Sequence, residues 1–181
     1  GYNQIMLKEK FAWSKNVDRW CDSVYAHDQF FTYAENIHGS DCLIPKLNIP
    51  WKTTRTFVVQ DLWPALTPAS THSKAPWTTI MTWNGFKGKL QYDGVEYRSK
   101  DGEFEKIITL PEDSSATFKI AVGGAAPTKQ LTAYGWETVD APQETLTTHR
   151  YQEFIAQSKG EFSIAKHVYV ALRSGWFSSR S

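Results

Sequence analysis

The chain has 181 residues, 41% hydrophobic and 22% charged, with a formal net charge of +1. That length can bury a full core in one domain or one and a fraction, and the composition is that of a globular protein. A charge so close to zero leaves no whole-molecule field to favour nucleic acid or an anionic membrane. No apolar run approaches the roughly 20 residues that a bilayer-spanning helix needs.

Aromatic residues are the departure, at 14% with eight Trp. Indoles serve large cores, and they also suit stacking on sugars and bases. Cys21 and Cys42 have no metal-like spacing and read as reduced thiols in a cytoplasmic protein. No secretory leader is recognisable, and the chain begins at Gly1 rather than Met.

In chain order, LKEKFAW and VDRWCDSVYA space apolar residues among charges as surface helices do. HDQFFTYAENI, His27 to Ile37, concentrates Phe30, Phe31, Thr32 and Tyr33 and reads as a strand. The loop from His38 to Arg55 carries Pro45 and Pro50 and is the candidate domain boundary. A short apolar run, TFVVQDLW, follows, then a Pro-, Ser- and Thr-rich loop. WTTIMTW, Trp77 to Trp83, is β-prone and ends at Asn84-Gly85, and Asp93-Gly94 between aromatics marks a small hairpin.

A short helix is expected from Asp101, its cap candidate, to Leu110, with Pro111 as its stop. TFKIAVGG is the clearest strand, nearly all apolar and closed by Gly123-Gly124. A helix over Lys129–Tyr134, a brief strand in GWETVDA, and a helix over Thr145–Ser158 closed by Gly160 come next. EFSIAKHVYVALRSG supplies a last strand and loop. Alternation of this kind predicts an α/β domain, a Rossmann-like, mostly parallel sheet with helices on both faces. The element opened at the end is not completed by Ser181, so the chain is expected to be part of a larger protein.

No dinucleotide-binding glycine fingerprint, Walker motif, zincin motif or nucleophile elbow is present. A diphosphate calls for backbone N–H groups together with Lys or Arg, and close backbone approach calls for glycine. Three strand-end loops offer parts of that combination: Trp83-Asn84-Gly85-Phe86-Lys87, Gly123-Gly124, and Arg173-Ser174-Gly175 with Ser178 and Arg180. Arg173 and Arg180 lie about two helical turns apart, on one face if helical. Glu161 follows a glycine and precedes an apolar run, so it reads either as an acceptor for sugar hydroxyls or as a surface partner of Lys159. Lys166 and His167 could reach the same cleft as Glu161, and His27 precedes the aromatic strand. The five histidines lack ligand spacing, so no metal site is expected.

HDQFFTYAENI, WTTIMTW and above all SKGEFSIAKHVYVALRSGWFSSRS give the chain a resemblance to a bacterial glycosyltransferase-like family of GT-B architecture, with two Rossmann-type domains. The resemblance implies that residues 1–50 close the acceptor-side domain and that 51–181 begin an incomplete, truncated nucleotide-sugar-binding domain. It implies a nucleoside-diphosphate sugar as donor substrate, no other cofactor, and an unidentified glycan or small-molecule acceptor, in a cytoplasmic protein that can be peripheral to the membrane.

Donor-binding residues on this reading are Trp83, Asn84, Gly123, Gly124, Lys166, Arg173, Ser174, Phe177, Ser178 and Arg180, with Glu161 and His27 as catalytic candidates. Gly175-Trp176-Phe177-Ser178 falls where many retaining members have Glu-Pro-Phe-Gly, so Gly175 stands in place of an acid. Two further readings stay open. One is a carbohydrate-binding module stacking sugars on Trp77, Trp83 and Trp136. The other is an inactive remnant of the fold.

Overall fold

The computed structural model describes residues 17–63, 74–85 and 90–176. In chain order the elements are α1 (Val17–Tyr25), β1 (Phe30–Thr32), β2 (Trp51–Thr53), a 3-10 turn (Gln60–Leu62), β3 (Trp77–Thr82), β4 (Leu90–Tyr92) and β5 (Val95–Tyr97). Then come α2 (Asp101–Phe104) with a 3-10 extension (Glu105–Ile107), β6 (Phe118–Gly123), α3 (Thr128–Ala133), β7 (Glu137–Asp140), α4 (Ala141–Glu144), α5 (Thr148–Ala156), β8 (Gly160–Glu161) and α6 (His167–Ala171). The chain divides into two compact units, one drawn from Gly1–Thr56, Gly88–Arg98 and His167–Phe177, the other from Phe57–Lys87, Ser99–Lys166 and Ser178–Ser181.

The second unit is an α/β sheet with all strands parallel, in the order β7-β6-β3-β8. β6 reads as a near-continuous apolar run, and β3 as β-prone Trp, Thr, Ile and Met, because both of their faces are covered. On one face Met81, Trp83, Phe118, Ile120 and Val122 pack against Phe104 of α2, Leu131 of α3 and Trp136. On the other, Ile80 and Ala121 pack against Ala141 of α4 and Phe154 of α5. Each large apolar side chain so buried contributes about 1.5–3 kcal/mol. Trp136 keeps its indole N–H satisfied by donating to the Ile108 carbonyl at 2.7 Å.

From β3 the chain steps outward to β6 and then β7, and afterwards returns across β3 to place β8 on its far side. β8 is short and pairs only at Trp77↔Gly160 and Thr78↔Glu161. Gly160 does not close the preceding helix. α5 ends at Ala156 with Gln157 as its cap, and the glycine lies against Trp77, where a Cβ would come within 3.1 Å of the indole Cε3. The helix starts at Thr148 rather than Thr145 because the Thr147 hydroxyl accepts the Arg150 N–H. Likewise Asp101 is the first residue of α2, not its cap, and Lys100 holds the cap position with no side-chain capping bond to the helix.

In the first unit β1 and β2 pair in parallel, with Phe30 edge-on to Trp51. The apolar run expected to continue the last strand is instead α6. Val168 and Leu172, four apart and both fully buried, form the inward face of a helical turn. Val-Tyr-Val is β-prone locally, but burial at helical spacing decides the outcome. β5 contacts α6, with the Val168 N–H donating to the Arg98 carbonyl at 3.3 Å and His167 Nδ1 accepting the Arg98 N–H at 3.1 Å. No helix among the described residues is long and apolar enough to cross a membrane.

Candidate functional site

The carboxyl ends of β3 and β6 bring two of the sequence-identified loops together. Thr82 pairs with Gly123, and the Trp83 N–H donates to the Gly123 carbonyl at 2.9 Å. Gly124 has φ +79°, and a Cβ there would lie 3.4 Å from Thr82 Cγ2 and 3.7 Å from the Asn84 backbone N and O. Glycine therefore supplies the left-handed backbone at this turn, with the neighbouring loop at ordinary contact distance. On the other side of Asn84, the Gly85 N–H donates to Ser99 Oγ at 3.1 Å, and the Asp101 N–H donates to the Trp83 carbonyl at 3.2 Å. These bonds fix the start of α2 beside the end of β3.

A cleft of about 370 Å³ opens at this edge, lined by Thr82, Lys100, Gly123, Gly124, Pro142 and Thr145 among others. Lys100 is the residue that sequence reasoning missed. It is only 9% exposed, so a long cationic side chain is buried along the cleft wall. The cation, the paired glycines and a threonine hydroxyl give the cleft the chemistry of an anion site. Asp140, at the carboxyl end of β7, is occupied in capping α4, its Oδ2 accepting the Gln143 N–H at 3.2 Å.

Trp83, Asn84, Gly123 and Gly124 thus share one edge. Glu161 does not reach it. β8 lies opposite Trp77 and Thr78, and the five steps from Thr78 to Trp83 span roughly 17 Å along the chain. Glu161 instead lines a small cavity with Thr78, Tyr151 and Ser158. Its neighbour Lys159 lies over the Trp77 ring, 5.9 Å from the centroid. Lys166 is half-buried, and burial holds its ammonium below the usual lysine range.

His27, Arg173 and Ser174 belong to the first unit. His27 Nδ1 donates to the Ser23 carbonyl at 2.8 Å, at the end of α1. Ser174 is buried, and its Oγ accepts the Trp176 N–H at 3.2 Å. Phe177, Ser178 and Arg180 lie outside the described residues. Among the described residues no three His, Cys, Asp or Glu side chains gather as metal ligands. Trp83 and Trp136, two of the three proposed stacking platforms, are 8% and 1% exposed and belong to the core.

Comparison of the chain with protein-family models, with curated proteins and with solved structures returns no match.

Proposed function

We propose that the chain is the donor-binding part of a glycosyltransferase of Rossmann-like, GT-B type, acting on a nucleoside-diphosphate sugar. The observation that carries this reading is the parallel order β7-β6-β3-β8 with the cleft at its carboxyl edge. Open α/β sheets bind ligands outside the carboxyl ends of their strands, and the cleft lies at that edge, between the ends of β3 and β6. The Gly123-Gly124 loop admits a ligand to the backbone, and Lys100 supplies the positive charge.

In the reaction, the bond between the anomeric carbon and the diphosphate oxygen breaks as an acceptor oxygen bonds to that carbon. The diphosphate leaves with the electron pair, and the acceptor proton passes to a base. Charge develops on the departing oxygen, and a cation whose side chain is largely withdrawn from solvent stabilises it more than a fully exposed one would. The Lys100 ammonium fills that role, with the backbone at Asn84 and Gly124 orienting the phosphates. The acceptor is a glycan or small molecule.

Calorimetric titration with UDP, GDP and their sugars tests this. Binding is expected for one nucleotide series, and Lys100→Ala should weaken it by about tenfold to a hundredfold, the loss of a charge-assisted hydrogen bond of about 1.5–3 kcal/mol. Absence of nucleotide binding, with polysaccharide bound instead, would replace the reading by a carbohydrate-binding module. That alternative has less support, since two of its three tryptophans are in the core.

A further inference from the structure

Whether a histidine nitrogen donates or accepts is decided by its partner. His27 Nδ1 lies 2.8 Å from the Ser23 carbonyl and His38 Nε2 lies 3.0 Å from the Trp51 carbonyl, so both nitrogens donate. His149 Nε2 faces the Glu153 carboxylate at 3.4 Å. A second proton on any of these rings leaves its contact in place. His167 differs. Its Nδ1 lies 3.1 Å from the Arg98 main-chain nitrogen, which can only donate, so Nδ1 accepts and the ring proton sits on Nε2. Among the described residues, which exclude His72, it is the one histidine whose hydrogen bond requires a bare nitrogen.

That bond is half of a clamp. The Val168 N–H donates to the Arg98 carbonyl at 3.3 Å, so the first turn of α6 holds both main-chain groups of Arg98 at the end of β5. α6 in turn ties the first unit together. Val168 and Leu172 are fully buried, and the Leu172 and Ser174 carbonyls accept the Leu43 and Asn36 N–H groups at 3.0 and 3.1 Å.

The surroundings of the ring do not favour a charge on it. Tyr97 of β5 faces it with ring centroids 6.2 Å apart, a phenol kept neutral by burial. Asp93, in the turn between β4 and β5, is near enough to act on that phenol, and Glu96 lies on the opposite face of β5 from Tyr97. α6 itself carries no charged residue, Tyr169 is a second phenol kept neutral by burial, and Asp41 meets Arg173 past the other end of the helix. The residue before the ring, Lys166, is a cation. Among the described residues no carboxylate forms an ion pair with His167.

We infer that His167 and the Arg98 main chain form an acid-sensitive latch, which protonation of Nδ1 opens, freeing α6 from β5 and loosening the first unit. The added proton turns the acceptor into a donor, sets it against the Arg98 N–H, and puts a positive charge next in sequence to Lys166. The folded chain thus favours the neutral ring, and the unfolded chain takes up the proton more readily. The latch is closed at neutral and alkaline pH and opens as pH falls through the range in which histidines titrate. Its residues belong to the first unit and the cleft to the second, so it does not rest on the nucleotide-sugar reading.

Amide hydrogen exchange read by NMR at about pH 7.5 and about pH 5, each rate taken relative to that of an unstructured chain at the same pH, tests the latch. Protection of the Arg98 and Val168 amides should fall about tenfold in acid, as expected when a donor is left unpaired, while Ile120 in β6 keeps its protection. His167→Asn places an amide oxygen near the position of Nδ1, accepts the same N–H and does not titrate, so its protection should be high at both pH values. His167→Leu cannot accept and should show low protection at both. Nitrogen-15 shifts of the His167 ring should report the Nε2–H tautomer at about pH 7.5. The Nδ1–H tautomer, equal protection of Arg98 and Val168 at the two pH values, or an acid loss that persists in His167→Asn overturns the latch. A fall of the same size at Ile120 also overturns it, since that marks acid unfolding of the whole chain.

Discussion

Thr79 sits in the middle of β3, fully buried, and its hydroxyl has no hydrogen-bond partner among the described residues. A hydroxyl taken out of water without a partner costs about 1–3 kcal/mol, whereas a methyl group of the same shape carries no such penalty. Thr79→Val should therefore raise stability by about 1 kcal/mol, read as a higher urea midpoint at unchanged slope. A midpoint below that of the unsubstituted chain would sink the idea and point to a partner for the hydroxyl. The residues of the candidate site differ in how far the sequence reveals them. Gly123-Gly124 is legible because two glycines ending an apolar run have few other uses. Lys100 is not, because a lysine beside Asp101 reads as the start of a surface helix, and only the closure of Ser99 onto Gly85 turns that segment into the cleft.

Among the elements, β3 and α5 are tied by a chain of hydroxyls. Thr78 Oγ1 donates to Ser158 Oγ at 2.8 Å, and Ser158 Oγ donates to the Phe154 carbonyl at 2.8 Å. Ser158→Ala breaks both bonds and strands the buried Thr78 hydroxyl, so it should cost about 1–3 kcal/mol in a denaturant titration. Adding Thr78→Val should recover part of that loss, and strict additivity of the two substitutions would contradict the coupling. β6 was readable from an apolar run with a clear stop, β3 from its β-prone residues ending at Asn84-Gly85, and the hairpin from Asp93-Gly94 between aromatics. α6 was not, since its β-prone residues outvote a helical spacing that only burial against the first unit makes visible.

At the scale of the whole molecule, three buried or half-buried titratable groups shape the alkaline response. Burial pushes the phenols of Tyr97 and Tyr169 up. Above about pH 10 the unfolded chain loses those protons first, so their contribution is intact below that pH and is lost as pH rises. Burial holds Lys166 down, so between its folded pKa and about 10.4 the unfolded chain binds more protons and stability rises with pH. Denaturant midpoints should climb toward pH 10 and fall beyond it. Tyr169→Phe should soften the fall and Lys166→Met should flatten the climb, and identical profiles for all three chains would refute the assignment. The scattered make-up of the first unit had no compositional signal, because the return of Gly88–Arg98 and His167–Phe177 to it depends on hydrogen bonds rather than on local residue types. That scattering sets an order of assembly during synthesis. Asn36 and Leu43 emerge early, yet the carbonyls they donate to, Ser174 and Leu172, are made only after nearly all of the second unit. At roughly 5–20 residues per second the wait is on the order of ten seconds, during which the second unit can begin to fold on the ribosome while the first stays open. The unit that is begun first is closed last, and a nascent chain cut before His167 would leave those early N–H groups without their acceptors.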